Sequence, residues 1–397
     1  MPAPAAARSG MLARFSCPRM LALGSISFFA FGVMLVMLGA NQAELARDLA
    51  LDLEQSGFLG ASLALGLGAG VILGGPLYDR LPHRLLFTAS VGVTGLMLLL
   101  AAPGAGYVGT VALVLAIGVS CGIYDTVVNA LIAERFSLQA TRAIALVHAS
   151  ATTGAALGPW LMRLNPLGSS WPQAFHGLGY VHLAIAAASA VTRFAAVDGS
   201  AASQRVAPQG VATPRRSATL LALVVVAFAY VGVENGLTVF AVPWAISRGA
   251  AESVGQTSIS AFWLGLLCGR LGLVLRQPAD GAPLLAAAGV LGALVVCSAS
   301  QLPLAPLPWA ALLAGFALGP VYPLMISLAA QRFPHALGVS LGLVAGGGAA
   351  GGFCIPWLIG VIADTSSVHT AIGLLGLQAL AISAAALRLR ARQPQPA

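Results

Sequence analysis

The chain has 397 residues, 58% hydrophobic and only 8% charged, with a net charge of +8 at pH 7 and a mean hydropathy of +0.89. Soluble globular domains carry about 25% charged residues, so these figures exclude one and indicate an integral membrane protein with room for about a dozen helical spans of roughly 20 apolar residues each. The sequence contains no lysine, so its positive charge is all arginine, and in a chain this apolar the arginines report topology and not nucleic-acid binding.

Arg8, Arg14 and Arg19 precede the first apolar run. That run is too long for a signal peptide and lacks a small-residue cleavage site, so it reads as a retained first span. Spans are predicted at 20–45, 57–78, 85–102, 107–133, 144–164 and 174–195. Six more are predicted at 220–246, 257–275, 283–300, 305–330, 337–362 and 370–389. Between the two sets, 196–217 is rich in Ala, Ser, Gln, Pro and Arg and has the composition of a flexible linker. The expected division is an N-terminal six-helix bundle (1–195), a cytoplasmic linker (196–217) and a C-terminal six-helix bundle (218–397). With both termini cytoplasmic, the arginines fall on the inner side except Arg47, Arg163 and Arg248, an asymmetry that an odd number of spans would spoil. Cys121, Cys268, Cys297 and Cys354 lie in apolar segments and Cys17 at the start, so no disulfide framework is expected.

The fourth span carries an acid and an amide in its interior. At about 100° per residue, Gly118, Gly122, Asp125 and Asn129 fall in one stripe, which lets another backbone come close and presents a carboxyl beside it. Holding such an acid ionised at a helix centre costs roughly 2.5 to 3.5 kcal/mol, so the stripe belongs inside a bundle and Asp125 is expected to exchange a proton in a water-accessible gap. A structural acid paired with a neighbouring helix is the alternative. Glu234, midway along the seventh span with Asn235 beside it and Tyr230 one turn earlier, is read as a second gap-lining acid or a buried paired one. His148 in the fifth span is read as a proton relay beside Asp125 or a packing histidine.

An internal repeat at an offset of 197 residues lays Gly118 on Gly315 and Gly122 on Gly319. The same offset carries Arg135 and Phe136 onto Arg332 and Phe333, then Gly154, Pro159 and Trp160 onto Gly351, Pro356 and Trp357. Near the starts of the halves, FFAFGV from Phe28 echoes FAYVGV from Phe228. Two six-helix units in the same orientation resemble the layout of major facilitator transporters.

The loop GPLYDRLPHR from Gly75 to Arg84 closely resembles that superfamily's signature loop, with Pro82 where glycine is usual and His83 where a basic residue is. YDTVVN (from Tyr124), YVGVE (from Tyr230), FWLGLLCGR (from Phe262) and GPVYP (from Gly319) narrow the resemblance to the fucose:proton symporter branch. It implies an all-α membrane protein of the major facilitator fold, with 12 transmembrane helices in two pseudo-symmetric six-helix bundles and a solute site between the halves near the bilayer midplane.

On that resemblance, Asp125, Glu234 and His148 are the expected proton-coupling residues. Asn41, Asn129, Tyr124, Asn235, Phe262, Trp263 and Tyr322 are the expected solute-binding residues, and Gly75, Asp79, Arg80, Arg84 and Arg270 the conformational gate. Characterised sugar symporters of the branch are understood to have a second acid on the first span, where this chain offers Asn41, with Glu44 one turn later. The implied protein is a monomer in the cytoplasmic (inner) membrane that moves a small polar solute with protons across the lipid bilayer. GAALGP from Gly154 resembles part of an antiporter motif and keeps drug or metabolite efflux open; a non-transporting receptor and a lipid flippase are further alternatives. No Walker loop, zinc pattern or nucleophile constellation is present, so neither a cofactor, a metal nor covalent catalysis is expected.

Overall fold

The computed structural model describes residues 18–136, 140–168, 170–192, 217–275, 281–301, 307–333 and 337–390. The predicted linker lies outside them except Ser217, whose side chain caps the helix that follows. Among the described residues the structure is all-helical. The first set comprises α1 (Pro18–Ala40), the short α2 (Gln42–Asp48), α3 (Leu53–Arg80), α4 (His83–Leu99), α5 (Gly106–Phe136), α6 (Ala140–Arg163) and α7 (Trp171–Val191). The second comprises α8 (Ala218–Ser247), α9 (Glu252–Leu275), α10 (Ala282–Gln301), α11 (Leu307–Leu318), α12 (Val321–Arg332), α13 (Leu337–Thr365) and α14 (Val368–Arg390).

Two predicted spans are interrupted. The first ends at Ala40, and the chain turns at Asn41 into α2, which lies beyond the span. The tenth is split into α11 and α12 at Gly319 and Pro320. Pro320 and Pro323 have no N–H to donate, so two rungs of the backbone ladder are missing where the helix breaks. Among the described residues, nine helices, taking α11 with α12 as one, are long and apolar enough to cross a membrane. The other three of the twelve spans are α4, which is short, and α6 and α9.

The repeat in the sequence is a repeat in packing. A Cβ at Gly118 would lie 2.6 Å from the Leu63 carbonyl oxygen and 2.9 Å from Gly66 Cα, and one at Gly122 2.9 Å from Gly70 Cα. In the second half a Cβ at Gly319 would lie 2.6 Å from the Leu266 oxygen and 2.9 Å from Gly269 Cα. These are closer than real Cβ contacts, so α5 meets α3, and α11 meets α9, backbone to backbone. Likewise Gly154 of α6 abuts the Phe29 carbonyl of α1, and Gly351 of α13 abuts the Phe228 carbonyl of α8. The six glycines are conserved across the internal repeat because each pair occupies the same close crossing.

The two sets meet tightly at one end, here called the rim, which carries residues 41–55. There the Asp364 carboxylate, at the end of α13, accepts hydrogen bonds from the backbone N–H groups of Leu53 (3.1 Å) and Glu54 (2.7 Å) at the start of α3. Trp357 Nε1 donates to Glu54 (3.2 Å), Gln256 Nε2 donates to the Ala40 oxygen (2.9 Å), and Arg163 donates to Gln256. Arg47 and Glu252 form an ion pair at 3.4 Å. At the opposite end, which carries the Gly75–Arg84 loop, a Cβ at Gly342 or Gly346 of α13 would meet open space, as would one at Gly75. The gap between the halves therefore opens toward the loop.

Overpacking a tight crossing costs about 1–3 kcal/mol. Gly154→Ala and Gly351→Ala are each expected to lower the unfolding temperature of the purified protein in detergent by several degrees, whereas Gly373→Ala, where a Cβ meets nothing within 4 Å, leaves it unchanged. Equal melting of all three variants and the parent would refute the shared close crossing.

Candidate functional site

The gap is lined by a continuous series of polar side chains drawn from both halves. On α5, the Asp125 carboxylate accepts from Asn129 Nδ2 one turn later (3.2 Å). With its amide nitrogen turned to Asp125, Asn129 presents Oδ1 to His148 Nε2 on α6 at 3.0 Å, so that ring nitrogen carries the donated proton. Thr152 follows His148 by one turn, and its hydroxyl donates to the His148 carbonyl oxygen (3.0 Å). The same hydroxyl accepts from Arg270 Nη1 on α9 at 2.6 Å, which carries the series across to the second half. Arg270 Nη2 then donates to the Tyr230 hydroxyl (3.0 Å) and lies 3.8 Å from Glu234 Oε2, both on α8.

Helix direction explains how these groups meet. Side chains tilt toward the N-terminus of their own helix. α8 runs from the loop end to the rim and α9 runs back, so Glu234 leans toward the loop while Arg270 reaches up from nearer the loop end, and the two converge. Their charges are largely withdrawn from solvent: the Arg270 side chain is 23% exposed and that of Glu234 13%. Arg270 Nε and Glu234 Oε2 are buried without a hydrogen-bond partner. Asp125, by contrast, has no basic side chain within ion-pair distance among the described residues. Tyr322 stands at the break between α11 and α12, is 39% exposed, and its ring lies 6.3 Å from that of Tyr230.

Among the residues singled out from sequence, the structure brings Asp125, Asn129, His148, Glu234, Arg270 and Tyr322 to the gap. Arg270 was assigned to the gate because its Cα lies near the inner end of its span; its guanidinium belongs to the central series instead. Tyr124 is buried in the first half, its hydroxyl 3.5 Å from His182 Nε2 and its ring against Phe31, because one residue along a helix turns the side chain about 100° away from Asp125. Phe262 and Trp263 are also buried: Trp263 Nε1 donates to Thr238 (3.2 Å), and Phe262 lines a small apolar cavity of about 30 Å³ with Trp244 and Val296. Asn235 faces Gly352 of α13 and not the guanidinium.

Asn41 lies at the rim. Its amide closes the end of α1 by donating to the Met37 oxygen (2.8 Å) and also meets Met162 Sδ (3.3 Å). Glu44 accepts from the Trp171 backbone N–H (2.8 Å) at the start of α7, so it marks the span's edge. Asp79, Arg80 and Arg84 are exposed, and Gly75 makes no close helix approach, since the halves are parted at that end. Within the loop, Tyr78 stacks on His83 at 3.9 Å and donates to Glu134 (2.8 Å). Thr152 was not singled out from the sequence; its position one turn past His148 was the available signal. GAALGP is used for packing, with Gly154 against α1 and Gly158 against Val36.

Comparison with known proteins bears on the family and the fold. The family model for the Major Facilitator Superfamily matches residues 21–312. The rat protein named sodium-dependent glucose transporter 1 is 32% identical over 145 residues, 35% of this chain and 28% of that protein, so the match spans little more than a quarter of the relative's length. Among solved structures, a D-xylose-proton symporter superposes with a TM-score of 0.75 at 14% identity, covering 95% of this chain and 98% of that one. The E. coli fucose:proton symporter FucP superposes at 0.64 and 16% identity, covering 94% and 98%. Those identities establish a shared fold and nothing finer. A family model running from the first helix into the tenth span, over a fold built on a duplicated helix packing, leads to one conclusion: the chain belongs to the Major Facilitator Superfamily.

Proposed function

We propose that the protein is a secondary active transporter that carries a small polar, hydroxyl-bearing solute together with protons by alternating access between an N-terminal bundle (1–195) and a C-terminal bundle (218–397). Membership of the superfamily makes it a multi-pass membrane protein that transports solutes. The observation that carries the finer reading is the polar series across the gap, in which Glu234 has Arg270 as counter-ion and Asp125 has none among the described residues. An acid without a counter-ion is costly to hold ionised in a membrane, by roughly 2.5 to 3.5 kcal/mol, so its charge is best neutralised by a proton before the halves move. The proton role falls to Asp125, with Asn129 and His148 holding its carboxyl. Arg270, Glu234, Tyr230 and Tyr322 offer hydrogen bonds and aromatic faces to the solute.

With the arginine-rich loop end placed in the cytoplasm by the positive-inside rule, the conformation described is inward-open. Asp125 takes a proton when the gap faces outward, the halves rearrange around the solute, and the proton leaves through the opening toward the loop. A charge crossing 100 mV gains about 2.3 kcal/mol, enough for roughly fifty-fold accumulation. A sugar-like solute is favoured by these side chains and by the similarity to the rat glucose, the xylose and the fucose transporters.

Thermal stabilisation of the purified protein across sugars, nucleosides, amino acids and organic acids is expected to single out a hydroxylated solute. In vesicles containing the protein, Asp125→Asn is expected to abolish solute-driven proton uptake and uphill accumulation while preserving solute counterflow; proton movement equal to that of the parent would remove Asp125 from the role. Tyr322→Ala is expected to weaken solute binding about tenfold, roughly 1.4 kcal/mol, whereas Phe262→Leu, away from the gap, keeps affinity within about twofold. Equal losses in the two variants would mean that the solute does not sit where the gap is.

A further inference from the structure

Among the described residues, polar contacts between the halves occur at two levels. At the rim, Asp364, Gln256, Trp357 and the Arg47–Glu252 pair tie the halves together. Deeper in the molecule, on the gap wall, Arg270 of the second half donates to Thr152 of the first at 2.6 Å. The rim contacts lie away from the gap, so a solute bound there does not touch them. The Arg270–Thr152 bond is different, because the guanidinium it uses also faces Glu234, Tyr230 and Tyr322. Thr152 is 1% exposed and is fixed in turn by its bond to the His148 oxygen, so its hydroxyl is a preformed acceptor aimed across the gap. It is the one element of the series that joins the groups around Asp125 to those around Glu234.

We propose that Thr152 is a positioning residue that latches the two halves through Arg270, and that the solute opens the latch by placing an acceptor oxygen, from a hydroxyl, carbonyl or carboxylate, where the Thr152 hydroxyl now accepts. The proposal rests on the reading of the gap as the solute site. Competition for one guanidinium supplies what alternating access requires, a contact between halves that the solute itself exchanges for another. A ligand shifts a conformational equilibrium only through such differential contacts. The sign of the effect follows: while Thr152 holds Arg270, only the fraction of molecules with a free guanidinium binds solute at full strength, so removing the competitor tightens binding. A purely structural threonine would leave affinity unchanged or weaken it.

The test uses Thr152→Val, which keeps the shape and removes the acceptor, and Thr152→Ser, which restores it. Spin labels on cysteines introduced at the exposed rim positions Gly104 and Gln301, in a background without native cysteines, report the distance between halves in solute-free protein. Thr152→Val is expected to broaden that distribution toward longer separations, and Thr152→Ser to reproduce the parent. With the solute found by thermal stabilisation, Thr152→Val is expected to bind several-fold tighter and to carry solute downhill without uphill accumulation. A Thr152→Val distance distribution identical to the parent overturns the latch. Failure of every solute to stabilise the parent overturns the transport-site reading instead, and the solute-free distances still decide between latched and unlatched halves.

Discussion

Backbone contact at glycine is the interaction on which the rest of this molecule depends. In lipid, apolar side chains gain little by leaving one apolar surroundings for another, so helices associate where small residues let backbones approach and dispersion contacts accumulate. The chain places such contacts in matched sets: α5 on α3 and α11 on α9 through Gly118, Gly122, Gly315 and Gly319, and α6 on α1 and α13 on α8 through Gly154 and Gly351. These crossings make each half a firm body. Firmness matters for function because a rearrangement around a central site needs halves that move as units, with the change concentrated where they meet.

The second constraint is that polar groups withdrawn from water need partners. Helices α6 and α9 have enough length to span a membrane, and they pack against each other across the halves. They carry His148, Thr152 and Arg270, which satisfy one another and the groups of α5 and α8 instead of facing lipid. Were the gap filled by apolar side chains, Glu234 and Arg270 would have neither each other nor a solute to interact with.

Much of this was legible in the sequence, and the failures share a cause. The repeat, the span order and the shared face of Asp125 and Asn129 follow from spacing, since an acid and an amide four apart lie on one side of a helix; the meeting of His148 with Asn129 is open in the sequence between a relay and a packing role and is decided by how α6 packs on α5. Tyr124, Phe262 and Trp263 were misplaced because an aromatic in a helix that is apolar on every side carries no sign of which face it occupies; burial among neighbouring helices decides it. Asn41 was misplaced because a break in the first span puts its amide at the service of the Met37 carbonyl. Arg270 shows a different limit: the position of a Cα along a span is a poor guide to a guanidinium on a flexible stem some 6 Å long that leans back toward its helix N-terminus.

The halves are held together at the rim and parted at the loop end, and that difference is mechanistically useful. At the rim, the Asp364 carboxylate of one half accepts backbone N–H bonds at the start of α3 in the other, where the helix dipole also favours a negative charge. In the Gly75–Arg84 loop, Asp79 sits at the other end of the same α3, facing the end from which α13 begins. The helix pair α3 and α13 thus carries an acid for each end: Asp364 on α13 engaged with α3 here, and Asp79 on α3 exposed at the end where the halves are apart. Asp364 stabilises the form in which the rim is closed, so a solute shifts the balance only through contacts in the gap that differ between that form and one with the rim parted.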